Sequence, residues 1–211
     1  EIAPAFAGQF GPKVTPEKLK AALLELGFFD VVEVAIGADL CTIEEAEDYM
    51  KNVPEKLDFM ATSCCPSWSV MAKKLFPEFA DNISMAMTPM VFTARFIKQR
   101  YKDSKVVFIG PCVSKKLEAT RKTVKSHVDY VLTFEEVMGM FEAKNIVLEE
   151  MEPADNISFG TGAGRGFAVS GGVANAVVDV VKKIDPNREI PIDQADGLKE
   201  CRNMLMLAKA G

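Results

Sequence analysis

An α/β fold, mainly parallel sheets flanked by helices in two strand–helix lobes, is predicted by three features of the sequence. Short apolar runs alternate with amphipathic stretches of about a dozen residues, the pattern of strands joined by helical crossovers. Threonine, proline and glycine punctuate those stretches where helices start and stop. Two of the apolar runs, Leu57-Asp58-Phe59-Met60-Ala61 and Val106-Val107-Phe108-Ile109, lead into cysteine-bearing turns, the place where an open parallel sheet presents its ligands.

Taken in order, Ile2-Ala3-Pro4-Ala5-Phe6-Ala7 reads as a first strand or extended segment ending near Gly8. Thr15 is placed to cap a helix with Pro16 at its first position and Gly27 just past its end. The alternation from Phe28 to Ala35 predicts a second strand. Thr42-Ile43-Glu44-Glu45 has the form of a capping box, which predicts a helix opening there and stopping before Pro54. The strand ending at Ala61 leads to Cys64. Its helix starts at Pro66, carries Trp68, Val70, Met71 and Leu75 at helical spacing, and stops by Pro77. Thr88-Pro89 opens a helix, rich in apolar and basic residues, that runs to about Lys102.

After the strand into Cys112, Val128 to Leu132 is a further strand, and Thr133-Phe134-Glu135-Glu136 caps a helix ending near Asn145. Ile146-Val147-Leu148 reads as a last strand of this lobe. Near Pro153 the character changes, dividing the chain into lobes 1–152 and 153–211 of one domain. The second lobe has a glycine-dense loop, 160–166, and Ser170-Gly171-Gly172 opening an apolar helix from Val173 to Ile184. The loop lacks the Walker Lys-Ser/Thr and the G-x-G-x-x-G spacing before a helix, so close backbone approach to a bulky ligand is the better use of its glycines.

A net charge of −5 over 211 residues gives no electrostatic reason to expect nucleic acid or an anionic membrane, and no apolar run spans a bilayer. Five cysteines without framework spacing fit a reducing compartment, read as cytoplasmic. His127 is the single histidine, which excludes a multi-histidine metal site and argues against Ser-His catalysis. The methionines at 85, 87, 90, 138 and 140 read as core. A first residue of Glu1 and an end at Gly211 directly after a helix suggest a piece of a longer chain.

Thr62-Ser63-Cys64-Cys65-Pro66-Ser67-Trp68 places two thiols between a strand end and a helix N-terminus, where the helix dipole is expected to favour the metal-binding thiolate. A pair of small buried side chains is the plain alternative. The second turn, Gly110-Pro111-Cys112-Val113-Ser114-Lys115-Lys116-Leu117-Glu118, adds another cysteine at a strand end, so a shared metal-cluster site between the lobes is expected.

Together these motifs resemble the H-cluster domain of FeFe-hydrogenases. Residues 62–68 satisfy T-S-C-C-P-x-W, and Pro111, Cys112, Lys115 and Glu118 satisfy P-C-x-x-K-x-x-E. Ala3-Pro4-Ala5, Thr161-Gly162-Ala163-Gly164 and Ser170-Gly171-Gly172 follow the family order. The third signature, E-x-M-A-C-P-G-G-C, is absent and would be expected just beyond Gly211. The chain therefore reads as a truncated domain in which the cofactor, a 4Fe–4S cube linked to a diiron unit, is expected to be absent or incomplete.

The resemblance implies reversible cleavage of dihydrogen into protons and electrons, or its sensing, with an electron carrier such as ferredoxin or an accessory iron–sulfur domain as partner. It makes Cys65 and Cys112 cube ligands and Cys64 the proton-relaying thiol, followed by Glu45, Ser84 and Asp48, the last standing where glutamate is usual. Glu45 also suits the capping box, and Asp48 an exposed helix acid. Lys115 would donate to a cyanide ligand, unless it is an ordinary solvated lysine. Pro4, Ala5 and Pro111 would line the cofactor, and Phe167 would pack near it or in the core. Met90 and Gly110 replace a polar residue and a methionine that touch the diiron unit, departures similar to the sensory branch. The rival reading is a relative without hydrogen chemistry that assembles or scaffolds iron–sulfur clusters; Cys64 with Lys115 favours the hydrogen-handling branch. A simple thiol-redox or zinc module is disfavoured by the lack of any C-x-x-C pair.

Overall fold

A computed structural model describes residues 1–155 and 160–211. Its helices and strands run α1 (Pro16–Glu25), α2 (Ala35–Asn52), α3 (Pro66–Leu75), α4 (Pro89–Arg100), β1 (Val107–Gly110), α5 (Ser114–Thr120), β2 (Tyr130–Thr133), α6 (Phe134–Ala143), α7 (Gly162–Gly166), α8 (Gly172–Ile184) and α9 (Gly197–Ala210). Short 3-10 turns cover Pro4–Phe6, Pro77–Asn82 and Leu148–Glu150. The class is mixed α/β with a small parallel sheet.

β1 and β2 pair in parallel, from Val107 opposite Tyr130 to Gly110 opposite Thr133. Ile2 extends that ladder with single parallel bridges to Ile109 and Glu33. A second parallel bridge joins Ala61 to Ile83. Four of the paired segments, at Ile2, β1, Ala61 and Ile83, run from the C-terminal end of the pairing into a candidate motif: Pro4, Cys112, Cys64 and Ser84. Phe108 and Ile109 are 3% exposed and Ile2 0%, as a strand covered on both faces requires.

Several elements form as the sequence predicts. The Thr15 hydroxyl accepts the Lys18 amide at 3.3 Å, Pro16 opens α1, and Gly27 follows it with φ +99°. Thr133 and Glu136 make a reciprocal capping box on α6, with bonds of 3.2 and 2.8 Å. Cys65 takes the N-cap position of α3 and Pro66 its first turn.

Other expectations fail: the strands expected over 2–7 and 57–61 shrink to single bridges at Ile2 and Ala61, with Pro4–Phe6 in a 3-10 turn. The helix expected to open at Thr42 begins at Ala35, and the Thr42 hydroxyl instead donates back to the Ala38 carbonyl at 2.8 Å inside α2. Burial of Ala35, Gly37, Ala38 and Cys41 extends this helix toward its N-terminus and confines the strand expected over 28–35 to the single bridge at Glu33. Residues 146–148 form no strand: the Ile146 amide closes α6 on Phe141 at 2.9 Å, and Leu148 enters a 3-10 turn with its side chain in the core.

The main core joins Ile2, Leu23, Val91, Phe108, Ile109, Phe134 and Phe141. Two smaller clusters tie the later helices to the earlier ones, α9 through Leu205 against Ala72, Phe76 and Ile83, and α8 through Val177 and Val181 against Ala46. The glycine loop becomes α7 and lies against α2: a Cβ on Gly164 would stand 2.4 Å from the Ala35 carbonyl oxygen. Arg165 grips Glu33 at 2.8 and 3.1 Å, and Thr161 bonds Asp39 at 2.8 and 2.6 Å. The close approach expected toward a ligand is therefore made to a helix.

Candidate active site

The first cysteine turn is held from several sides. Ala61 bonds to the residues on either side of its bridge partner Ile83, donating its N–H to Asn82 O at 2.8 Å and accepting the Ser84 N–H at 2.9 Å. The Trp68 indole N–H donates to the Thr62 carbonyl at 2.9 Å, curling residues 62–68. Cys65 is exposed at the tip and Cys64 is half-buried beneath it. On the second turn, half-buried Cys112 sits 2.8 Å from the Ser114 hydroxyl at the start of α5.

Lys115 joins the two turns. Its ammonium donates to the Cys64 carbonyl at 2.8 Å and to Glu118 Oε2 at 2.7 Å, and Glu118 Oε1 accepts from the Thr88 hydroxyl at 2.7 Å. The Lys115 side chain is only 13% exposed and Glu118 only 5%, so this is a buried pair and not a solvated lysine. The chain Cys64–Lys115–Glu118–Thr88 so links the first cysteine turn, α5 and the start of α4.

Burial sets the electrostatics. It pushes the Cys64 thiol up to about 12, against the pull of Lys115. The lowered thiol expected at a helix N-terminus is thus overturned at Cys64, because loss of solvent outweighs the nearby cation and dipole. Glu45 is 0% exposed. Burial lifts its carboxyl to about 7, opposed first by the Ser63 amide, reinforced by Asp48 and opposed again by Ser84. Ser63 N–H meets Oε1 at 3.3 Å, while Oε2 lacks a hydrogen-bond partner among the described residues. Asp48, one turn on, accepts from the Asn52 side chain at 2.7 Å, and buried Ser84 accepts the Ala86 amide at 3.2 Å.

The other candidates are more dispersed. Pro4 and Ala5 form a 3-10 turn at the end of the Ile2 pairing, and α7, capped by Phe167, packs on that turn. Pro111 is exposed. Met90 is 1% exposed and belongs to the main core. Gly110 ends β1 where a Cβ would fall 2.6 Å from the Phe108 ring and 3.2 Å from Ala3 Cβ. A cavity of about 370 Å³ between Tyr49, Asp58 and Arg188 contains none of the cysteines.

Two residues near this site carry no motif. Cys41 is buried one turn before Glu45, its thiol raised by burial and then by the charges of Glu45 and Cys64; the i, i+4 spacing to Glu45 was the available signal. Glu1 is 9% exposed, with both carboxylate oxygens unpartnered among the described residues, and burial raises it to about 8 beside Lys115 and Glu118. Nothing local in the sequence marks it.

Among the described residues, no group of three or more His, Cys, Asp or Glu side chains is gathered to hold a metal ion. The donor chemistry fits a thiolate-bound iron–sulfur cube in kind, through Cys65 and Cys112, and half of it in number. The buried ammonium of Lys115 and the unpartnered Glu45 oxygen fit an anionic, proton-handling group next to it.

Fold and site define an α/β protein with thiols at parallel strand ends around a buried lysine. The model of the iron only hydrogenase large subunit, C-terminal domain, matches residues 1–211, and the chain belongs to that family. It is 33% identical to iron hydrogenase 1 of Clostridium pasteurianum over 86% of this chain and 34% of the relative. It is 29% identical to the periplasmic [Fe] hydrogenase large subunit of Nitratidesulfovibrio vulgaris, over 89% and 50%. It is also 28% identical to cytosolic iron-sulfur assembly component 3 of Pongo abelii, over 74% and 37%. The solved structure of HydA(deltaEFG), described as revealing stepwise [FeFe]-hydrogenase H-cluster assembly, superposes with a TM-score of 0.72 at 28% identity, covering 93% of this chain and 55% of that one. The chain spans half or less of the length of these curated relatives. No helix among the described residues is long and apolar enough to cross a membrane.

Proposed function

We propose that this chain is part of a FeFe-hydrogenase catalytic domain that converts or senses dihydrogen, H2 = 2 H+ + 2 e−. The observation that carries this reading is the Lys115 bridge, which binds the Cys64 carbonyl at 2.8 Å and so ties the two cysteine signatures together. When bound, a diiron unit attached to a 4Fe–4S cube supplies the H–H cleavage and the electron store. Cys65 and Cys112 would hold the cube. Lys115 would present its ammonium to an anionic ligand in a dry site, with Glu118 and Thr88 fixing its position. Pro4, Ala5 and Pro111 would line the cofactor.

Cys64 holds its proton at neutral pH, and Glu45, poised at about 7, is suited to give Cys64 a proton back once the thiol has passed its own to the cofactor. Ser84 and Asp48 continue the route, Asp48 steered by Asn52 at 2.7 Å. Gly110 and buried Met90 remove a bulky wall and a polar contact from the cofactor's side, which supports sensing over rapid turnover. The unbridged cysteines support a cytoplasmic, reducing setting.

The second reading, cluster assembly without hydrogen chemistry, is supported by the likeness to the cytosolic assembly component. It leaves Cys64 and the Lys115 bridge without a task. The test is made in the full-length protein. Cys64→Ala is expected to abolish H2/D2O exchange while iron content stays at the wild-type level. Undiminished exchange would overturn the relay, and a wild-type protein that binds iron but never exchanges would favour assembly.

A further inference from the structure

Cys201 is remote in sequence from the site described above, and packing carries it to the rim of that site. α9 runs alongside α3 in the same direction. Near their C-terminal ends Lys209 pairs with Glu78, just past α3. One turn earlier Leu205, 3% exposed, packs on Ala72 and Phe76 in the cluster that also takes in Trp68. Cys201 is one turn earlier again, so 201, 205 and 209 share the face of α9 turned to α3. Followed back by the same turns, α3 leads from Ala72 through Trp68 to its N-cap, Cys65.

A helical side chain leans toward the N-terminus of its own helix, which aims the Cys201 sulfur at that end of α3. Its Sγ stands 3.9 Å from the Ala195 carbonyl, ahead of the first residue of α9. Burial first and Cys65 next raise the Cys201 thiol, so the two sulfurs are within electrostatic reach. Both are free, Cys65 exposed and Cys201 half-buried. The other thiols are worse partners for Cys65. Cys64 is its neighbour, with Cα atoms about 3.8 Å apart, short of the roughly 4.4–6.8 Å that a disulfide spans. Cys112 is held by Ser114 on the second turn, and Cys41 is buried in α2.

We propose that Cys201 is the resolving thiol of Cys65: hydrogen peroxide oxidises Cys65, and Cys201 closes the product into a disulfide between α3 and α9. Cys65 reacts first because it is the exposed one of the two. Its sulfur attacks one peroxide oxygen, the O–O bond breaks, and a sulfenic acid and one water result. The Cys201 sulfur then attacks the Cys65 sulfur, the S–O bond breaks, and a second water leaves. Two thiols lose two electrons and two protons, and one H2O2 takes them up to give two waters. In a reducing compartment a dithiol reverses the bond. Taking Cys65 as a cube ligand, which rests on the function proposed above, the disulfide withholds that ligand until it is reduced and spares it irreversible oxidation.

The test uses the full-length protein isolated without its clusters, treated with hydrogen peroxide and digested without reductant for peptide mass spectrometry. A Cys65–Cys201 cross-linked peptide is expected in wild type and in Cys64→Ala, and dithiothreitol is expected to abolish it. In Cys201→Ser and Cys201→Ala, sulfinic and sulfonic acid at Cys65 are expected to rise about tenfold or more. Untreated, both variants are expected to take up ferrous iron and sulfide like wild type. After peroxide and then dithiothreitol, wild type is expected to regain that uptake and the Cys201 variants to lose it. Absence of the cross-link, Cys65 joined to Cys64 or Cys112 instead, or equal over-oxidation with and without Cys201 would overturn the pairing. A cross-link that leaves iron uptake undiminished would sustain the pairing and count against Cys65 as a cube ligand, and with it the hydrogenase reading.

Discussion

Glu45 shows how burial, aided by the charges of Asp48 and Glu44, lifts an ordinary helix acid into the neutral range. Its carboxyl is lifted from 4.5 to about 7, so the folded chain retains a proton that the unfolded chain releases. The linked stability is fully present below pH 4.5 and is lost as pH rises through 7. Glu45→Gln removes this dependence. The wild type is expected to lose about 2–3 kcal/mol relative to the variant between pH 4.5 and 8, read by urea unfolding at each pH. A pH-independent difference would sink the assignment. Cys64 and Cys65 are neighbours in sequence with opposite fates: Cys64 is half-buried with its thiol desolvated and held protonated, and Cys65 is exposed. Iodoacetamide at about pH 8 is expected to label Cys65 at least about tenfold faster than Cys64, followed by peptide mass spectrometry. Equal labelling would mean that Cys64 is not desolvated as described.

At the scale of elements, the crossing of α2 and α4 sets the distance between the acid-bearing helix and Thr88, which reaches Glu118. Gly37 makes that crossing possible, since a Cβ there would stand 2.1 Å from the Pro89 carbonyl oxygen and 2.3 Å from the Thr93 hydroxyl. The obstacle is backbone, and cannot swing aside. Gly37→Ala is therefore expected to destabilise the protein by about 1–3 kcal/mol, despite alanine's better helix propensity, as judged by thermal unfolding. A stabilised variant would show that the helices can slide apart freely. The sequence made the opposite error at this element: Thr42 to Glu45 has capping-box letters, but tertiary burial of Ala35 to Cys41 carries the helix past them.

Across the whole molecule, the segment 160–211 is held to the rest by α7, α8 and α9. Glu33 is 3% exposed on its side chain, and among the described residues Arg165 is its charge partner. Arg165→Ala would leave that carboxylate buried and uncompensated, at a cost of about 2–3 kcal/mol after allowing for the 42% exposure of Arg165. Faster limited proteolysis between 150 and 170 than in the wild type is the expected readout, and unchanged cleavage would show that α8 and α9 suffice to hold the segment. The division into lobes at 152/153, drawn from composition, runs just ahead of this contact.

The sequence by itself determined what local chemistry dictates: the caps at Thr15 and Thr133, the proline starts of α1, α3 and α4, the strand before Cys112, and the signature residues themselves. These depend on backbone donors within a few residues, so a few letters suffice. Only the tertiary structure decided that Lys115 reaches back to the Cys64 carbonyl, that Cys64 is held protonated, that Glu45 lies in a helix interior, and that Glu1 and Cys41 border the site. Each of these follows from desolvation and from contacts between residues far apart in the chain, and neither quantity exists until the elements pack.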